Sequence, residues 1–294
     1  MYLNHFEYFA PKASGEAFEL VKRLGGKAKI LAGGTDLLNL MKDKLLKPEY
    51  LIDINNVGEF KGIFYEPGKG AVIGAATKIS EIEHSEIIRE KYFALHQAAG
   101  ELGSVQVRNM ATIGGNSCNA SPAAETPTPL VALGAKVVVS SLSGDREMPL
   151  EEFILGNGET ALAEGEILTK FLLPEPVPGS VSRYGYIGLR DAMEIDAVNL
   201  AVNLALAEDG RKIKDLKLVM GSVSPKPLVS REAPDILIGK EFSAELAEKA
   251  SRAASGESKP ISDIRASAEY RREIVAVLSR RLLQEAFSAT KGGV

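Results

Sequence analysis

Two short glycine pairs are the segments of this sequence best suited to chemistry. The first, Leu31-Ala32-Gly33-Gly34-Thr35-Asp36-Leu37, falls between a predicted strand and a predicted helix. Glycine lets a backbone approach a ligand closely and take a positive φ. Unpaired N–H groups ahead of a helix suit a phosphate or pyrophosphate. Thr35 and Asp36 can cap the helix or bond to a ligand. The same residues also suit a plain tight turn. They form neither the G-x-G-x-x-G fingerprint nor a P-loop, which would end in Lys and Ser or Thr. The second segment runs from Arg108-Asn109-Met110-Ala111-Thr112-Ile113-Gly114-Gly115-Asn116 to Ala120-Ser121-Pro122-Ala123-Ala124-Glu125. Gly, Asn, Ser and Thr crowd there without apolar periodicity. It reads as a helix-free loop, either a surface connection or a dense set of donors around a ligand.

Other residues offer less. Glu125 reads as a solvated loop carboxylate, and Glu151-Glu152 and Arg271-Arg272 as solvated faces. No Ser/His/Asp arrangement forms a recognisable motif. Cys118 is the only cysteine and reads as a packing residue. A lone thiol excludes an intramolecular disulfide framework, a Cys-ligated iron–sulfur cluster and a Cys-rich zinc site within this chain. It fits a reducing cytoplasm. His5, His84 and His96 show no metal-ligand spacing. Any metal redox centre must then sit on a partner.

The elements that position the two segments come from the hydrophobic pattern. Ser14 is placed to cap a helix burying Ala17, Phe18, Leu20, Val21 and Leu24, ended by Gly25-Gly26. A strand from Lys29 to Leu31 leads into the first glycine pair. A second helix carries Leu37, Leu38, Leu40, Met41 and Leu45 until Pro48, and Leu51-Ile52-Asp53-Ile54 reads as a strand. This is a β-α-β unit. The second unit opens near Glu59 with a hairpin around Pro67-Gly68-Lys69-Gly70. Helical stretches follow at residues 80–87 and 92–102. Strands are expected at residues 136–142, ahead of a turn at Ser143-Gly144-Asp145, and at residues 167–172. Residues 174–179 (PEPVPG) read as a linker. Beyond it, Val198, Leu200, Val202, Leu204 and Leu206 alternate with Ala197, Asn199, Ala201, Asn203 and Ala205, a strand with one strongly apolar face. Glu208-Asp209-Gly210 turns it back into residues 216–219. Helices are predicted at residues 243–254 and 266–287, the last with a stripe of Ile274, Leu278, Leu282 and Ala286.

The 294 residues suit two or three compact units, and disorder is expected only at ends such as Lys291-Gly292-Gly293. The net charge of −4 argues against general nucleic-acid binding. No apolar run is long enough to span a bilayer, and the start lacks the basic and apolar regions of a secretory signal.

In order along the chain, several segments resemble the medium, FAD-binding subunit of the molybdenum hydroxylases, the family of xanthine and carbon monoxide dehydrogenases. They are Phe6-Glu7-Tyr8-Phe9-Ala10-Pro11, the two glycine segments, Gln106-Val107-Arg108-Asn109 and Ala120-Ser121-Pro122-Ala123-Ala124-Glu125-Thr126-Pro127. Further on come Arg190-Asp191-Ala192-Met193-Glu194-Ile195, Gly221-Ser222-Val223-Ser224-Pro225-Lys226-Pro227 and the residues from Pro260 to Arg272. The resemblance implies an α+β fold. A two-subdomain, PCMH-type FAD-binding domain would occupy residues 1–176, divided at about 57 and 58. A C-terminal α+β domain with an antiparallel sheet and helices would occupy residues 177–290.

It also implies residue roles. Leu31, Ala32, Gly33, Gly34, Thr35, Asp36 and Leu37 would cradle the FAD pyrophosphate. Thr112, Gly114, Gly115 and Asn116 would run along the flavin and its ribityl chain. Leu102 and Leu168 would give apolar contacts. Glu125 stands where the family usually has Asp, near the adenosine ribose. Tyr186 stands where the family usually has a basic residue, close to the isoalloxazine. A cation there would stabilise an anionic reduced flavin, whereas a tyrosine hydroxyl carries no charge near neutral pH. The implied partners are a small subunit with 2Fe–2S clusters and a large subunit with a molybdenum–pterin cofactor, in a heterotrimer. The flavin would pass electrons to an external acceptor. No catalytic acid, base or metal ligand is expected on this chain. The lack of a Cys-rich insertion disfavours the hydroxybenzoyl-CoA branch. Two alternatives remain: a self-sufficient FAD oxidoreductase and a non-catalytic nucleotide-binding protein.

Overall fold

Alternating apolar segments build three units in sequence order in the computed structural model, which describes residues 3–190 and 193–291. Asp191 and Ala192 of the segment beginning at Arg190, Met1 and Tyr2 of the start, and Gly292 and Gly293 of the tail lie outside the described residues.

The first unit is a small parallel sheet. It comprises β1 (Glu7–Phe9), α1 (Ser14–Leu24), β2 (Ala28–Leu31), α2 (Leu37–Lys42) and β3 (Tyr50–Asp53), with β3 between β1 and β2. Ile52, fully buried, and Ala17 of α1 share its core. Ser14 is the first residue of α1 rather than its cap; Ala13 holds the cap position, and the Ser14 hydroxyl bonds to Glu59 instead. The second helix stops at Lys42, earlier than Pro48 suggested. Lys44 takes a positive φ of 61°, and Leu45 is left exposed.

The second unit begins with the hairpin β4 (Ile63–Glu66) and β5 (Gly70–Gly74). Then come α3 (Ile79–Glu83), α4 (Glu86–Lys91), α5 (Phe93–Glu101), α6 (Val105–Arg108), α7 (Ile113–Asn119) and α8 (Pro127–Ala132). It ends with β6 (Lys136–Ser141), β7 (Gly144–Pro149), α9 (Leu150–Phe153), β8 (Ile154–Gly156), β9 (Glu159–Thr160) and β10 (Ile167–Leu173). Five strands form an antiparallel sheet in the order β4-β5-β10-β6-β7. The helical stretch expected over residues 80–87 is two helices, because the Ser85 side chain caps α4 and breaks the run. A β-bulge at Thr169 interrupts the β10–β6 register, and the Thr169 carbonyl accepts from Ala75 N at 2.8 Å. Bulges bend a strand and re-aim its side chains, and this one lies beside Leu168.

Tyr92 and Tyr65 fasten the linker: their hydroxyls bond to the Pro174 carbonyl and to Glu175. The third unit is an antiparallel sheet of β11 (Val181–Ile187), β12 (Val198–Leu206), β13 (Ile213–Gly221) and β14 (Leu228–Val229). It is backed by α10 (Glu232–Leu237), α11 (Ala244–Glu257) and α12 (Ala268–Lys291). Val198, Leu200, Val202 and Leu204 pack with Leu278 and Leu282 of the α12 stripe. The opposite face of β12 is buried as well. Ala201 joins the core of the second unit, and α8 packs across β12 and β13. Small side chains on that face let the second unit close against it. Among the described residues, no helix is long and apolar enough to cross a membrane.

Candidate cofactor site

The two glycine segments meet. A Cβ added to Gly33 would overlap the Met110 carbonyl oxygen and lie 2.7 Å from the Ala111 Cα. Only glycine permits that backbone contact. Gly34 has a φ of 72°, the left-handed region that glycine occupies without strain. Asn55 holds the first loop from below: its Nδ2 donates to the Ala32 carbonyl and to Asp53 Oδ1, both at 2.7 Å. Asn39 Nδ2 donates to the Thr35 carbonyl at 2.7 Å. Asp36 occupies the cap position of α2 without a side-chain capping bond. Among the described residues, none accepts from the backbone N–H groups of Gly33, Gly34, Thr35, Asp36 or Leu37. Several backbone donors of this loop are thus not used within the fold.

The second segment is not the helix-free loop its composition suggested. Residues Ile113–Asn119 form α7, capped by Thr112, whose hydroxyl accepts from Gly115 N at 3.1 Å. The cap and the helix's packing outweigh its two glycines. Gly114 lets α7 press onto the residue that follows β5: its N–H donates to the Ala75 carbonyl at 2.8 Å, and a Cβ would sit 2.6 Å from that oxygen. Gly115 adjoins the Thr112 hydroxyl. Cys118 packs into the same core, and burial pushes its thiol up to about 12, the reverse of an activated nucleophile.

Glu125 is not a solvated carboxylate. Burial, and then the Asp196 carboxylate, push it up to about 8; Asn116 opposes the rise through a side-chain hydrogen bond, and Asp36 adds to it. Asn116 in turn accepts from the Thr126 hydroxyl at 2.6 Å. Asp36, Asn116 and Glu125 are thus one neighbourhood, drawn from both segments. Asp196 extends it into the third unit. It is 4% exposed, and burial raises its carboxyl to about 7. Its Oδ2 accepts from the Tyr184 hydroxyl at 3.2 Å and from Asn199 Nδ2 at 3.1 Å, and Asn199 Oδ1 accepts from Thr128 at 2.7 Å. Sequence reasoning missed this network, since Asp196 belongs to no motif and Asn199 reads only as the polar side of a strand.

Beyond Tyr184 lies a cleft of about 470 Å³ between α5 and β11, lined by Glu83, His96, Gln97, Glu101 and Tyr186 among others. It includes none of the loop glycines; the carboxylates link the two regions, because Glu101 and Glu125 both act on Tyr184. The Tyr186 hydroxyl donates to Glu101 at 2.9 Å. Arg108 forms a fork with Glu83 at 2.7 and 3.2 Å, and its Nη1 donates to the Leu102 carbonyl at 3.2 Å. That bond fixes the turn after α5. Leu102 and Leu168, 5% and 4% exposed, belong to the apolar core beneath the site. The two glycine segments, the raised carboxyls of Glu125 and Asp196, and the Tyr186–Glu101 pair are thus related through Tyr184. Loop glycines and half-buried donors fit a long, phosphate-bearing ligand.

Residues 4–176 match the FAD binding domain of molybdopterin dehydrogenases, and residues 186–286 match the CO dehydrogenase flavoprotein C-terminal domain. The chain belongs to the FAD-binding medium-subunit family of the molybdenum hydroxylases. Its relatives include the glyceraldehyde dehydrogenase medium chain of Sulfolobus acidocaldarius, 33% identical over 97% of this chain and 99% of that protein. The xanthine dehydrogenase FAD-binding subunit of Escherichia coli O157:H7 is 30% identical over 90% of this chain and 91% of its own length. Among solved structures, carbon monoxide dehydrogenase from Hydrogenophaga pseudoflava superposes with a TM-score of 0.93 at 32% identity, covering 98% of this chain and 99% of that one. The family member described here is thus an FAD-binding oxidoreductase subunit, and the α+β architecture expected from its motifs is the one observed.

Proposed function

We propose that this chain holds FAD across the meeting of its two glycine segments and relays electrons through it. Residues 31–37 bind the pyrophosphate through their backbone N–H groups. Thr112, Gly114, Gly115 and Asn116 line the ribityl chain, and Glu125 faces the ribose. Leu102 and Leu168 give apolar support, and Tyr186 stands at the isoalloxazine. On this reading residues 1–176 form the FAD domain, with subdomains meeting near residues 57 and 58, and residues 177–290 close over it. The observation that carries the proposal is the Gly33–Met110 contact, which turns two separate loops into one cradle with free donors.

Bound FAD supplies chemistry in one- or two-electron steps. The chain's residues bind it, orient it and keep the Glu125 carboxyl largely protonated near neutral pH. An uncharged Glu125 donates a hydrogen bond where an ionised one would repel a phosphate-bearing ligand. The partners we assign are a small 2Fe–2S subunit and a large molybdenum–pterin subunit, in a cytoplasmic heterotrimer that delivers electrons to an external acceptor. Support comes from the family relationship and from Cys118 standing alone, so that iron–sulfur ligands must lie on another chain. Titration of the deflavinated chain with FAD, followed by quenching of flavin fluorescence, tests the cradle. Saturable 1:1 quenching supports it; no quenching favours the non-catalytic nucleotide-binding reading.

A further inference from the structure

Arg271 looks like a surface residue in the sequence, next to the exposed Arg272, but it is only 3% exposed. Its Nη1 donates to the Ala197 carbonyl at 2.5 Å and to the Ser222 carbonyl at 3.2 Å. Its Nη2 donates to Asp263 Oδ1 at 2.8 Å. Asp263 is itself held down at about 2: burial works against that, but hydrogen bonds from Arg265 N, the Arg271 guanidinium and Ala266 N outweigh it. A planar guanidinium presents donors from two separate terminal nitrogens in a rigid fork, whereas an ammonium presents its three from a single nitrogen.

Both carbonyls belong to segments that adjoin the Tyr184–Asp196–Asn199 network: Ala197 follows Asp196, and Ser222 follows Gly221, which packs against Asn199. The Ala197 N–H donates to the Ile187 carbonyl at 2.9 Å, next to Tyr186. The loop leaving Tyr186 and returning at Asp196 is therefore closed at one peptide, and Arg271 holds that peptide's neighbour. Ser222 takes a φ of 63°, unusual for a residue with a side chain. Both of its backbone groups explain that conformation. Its carbonyl faces Arg271, and its N–H donates to the Pro122 carbonyl at 2.8 Å in the segment leading to Glu125. One guanidinium thus ties α12 to the Asp196–Tyr186 loop and, through Ser222, to the Glu125 segment of the second unit.

We infer that Arg271 is a positioning residue, which sets Asp196 and the Glu125 segment against the flavin by locking the third unit onto the second. The inference rests on the FAD reading above. Arg271→Lys keeps a positive charge but replaces the two-nitrogen fork by one ammonium nitrogen, so the carbonyls and Asp263 are no longer held in the same geometry. Asp263→Asn leaves the carbonyl bonds and removes the anchor, giving a second, milder variant. Leu283→Ala, in the buried face of the same helix, loses stability without touching the cleft, and Arg272→Ala alters only an exposed side chain.

The experiment measures FAD dissociation and flavin midpoint potential in the purified protein for all four variants, beside thermal melting. Arg271→Lys is expected to raise the FAD dissociation constant by about tenfold or more, the scale of one or two lost charge-assisted hydrogen bonds, and to shift the potential. Asp263→Asn shifts both in the same direction by less. Leu283→Ala lowers the melting temperature with the potential unchanged, and Arg272→Ala changes nothing. If Arg271→Lys and Asp263→Asn melt lower yet keep the wild-type potential and FAD affinity, Arg271 is structural only and the inference is overturned. If the wild type itself holds no FAD, it is the cofactor reading that has failed.

Discussion

Gly33 lies so close to Met110 that a single methyl group on its Cα would overlap the Met110 carbonyl oxygen. The contact joins residues from two units, and neither loop can retreat freely: Asn55 ties the first, and the capped helix α7 follows the second. Gly33→Ala must therefore push the two backbones apart where the pyrophosphate would lie. The expected result is a folded chain that purifies with little or no flavin, its FAD affinity down by roughly a hundredfold, the scale of one or two lost hydrogen bonds to a charged pyrophosphate. Absorbance in the flavin region, set against protein concentration, checks it. Full flavin content would mean that the contact serves only the fold.

The raised Glu125 carboxyl makes stability depend on pH. An acid held up at about 8 in the fold, but ordinary (about 4.3) in the unfolded chain, binds its proton more tightly when folded. Its contribution is fully present below the ordinary glutamate range and is lost as pH rises through about 8. Asp196, raised to about 7, acts in the same direction. The flavin-free chain should lose on the order of a few kcal/mol between about pH 5 and pH 8. Glu125→Gln should flatten most of that slope, and Glu125→Gln with Asp196→Asn nearly all of it. Denaturant melts at several pH values give the answer, and a variant as steep as the wild type would place the titration elsewhere.

Gly221 sits where the buried network needs empty space. A Cβ there would overlap Asn199 Oδ1 and lie 2.6 Å from the Thr128 hydroxyl. Gly221→Ala should cost about 1–3 kcal/mol by overpacking, and more if Asn199 swings away and leaves Asp196 with fewer donors. Asn199→Ala in the Gly221→Ala background separates the two effects. If the second substitution adds its full cost on top of the first, the glycine and the network are independent.

Tyr186 donates to Glu101, so this end of the cleft carries a hydroxyl and a carboxylate. Tyr186→Lys introduces a cation and should raise the flavin midpoint potential, because positive charge favours an anionic reduced flavin. We expect acceptor use to differ from that of NAD-linked relatives and to move toward them in the variant. Equal reactivity of wild type and Tyr186→Lys with NADH would count against it.

The periodicity of α1, β12 and α12 and the glycine-rich turns were readable from the sequence, since each depends on local pattern. The apolar alternation of residues 198–206 placed one face of β12 correctly. It could not show that the alanine face is buried too, because that depends on which unit packs there. Arg271 was misread for the same kind of reason: a charged pair at the start of a helix looks solvated until Ala197, Ser222 and Asp263 arrive from distant segments. The glycines of α7 hid a helix, because its stability comes from the Thr112 cap and from the close contact of Gly114 with Ala75, not from intrinsic propensity. Motif resemblance implied a cofactor role for both loops but gave no sign of the contact between them.

The most direct test of the central claim is native mass spectrometry of the chain purified gently from its own cells. The account predicts one FAD per chain in the wild type, carried in a complex with one large and one small iron–sulfur subunit, and an FAD-free chain for Gly33→Ala. A wild-type chain that arrives without flavin, or a Gly33→Ala chain with full FAD occupancy, would contradict it.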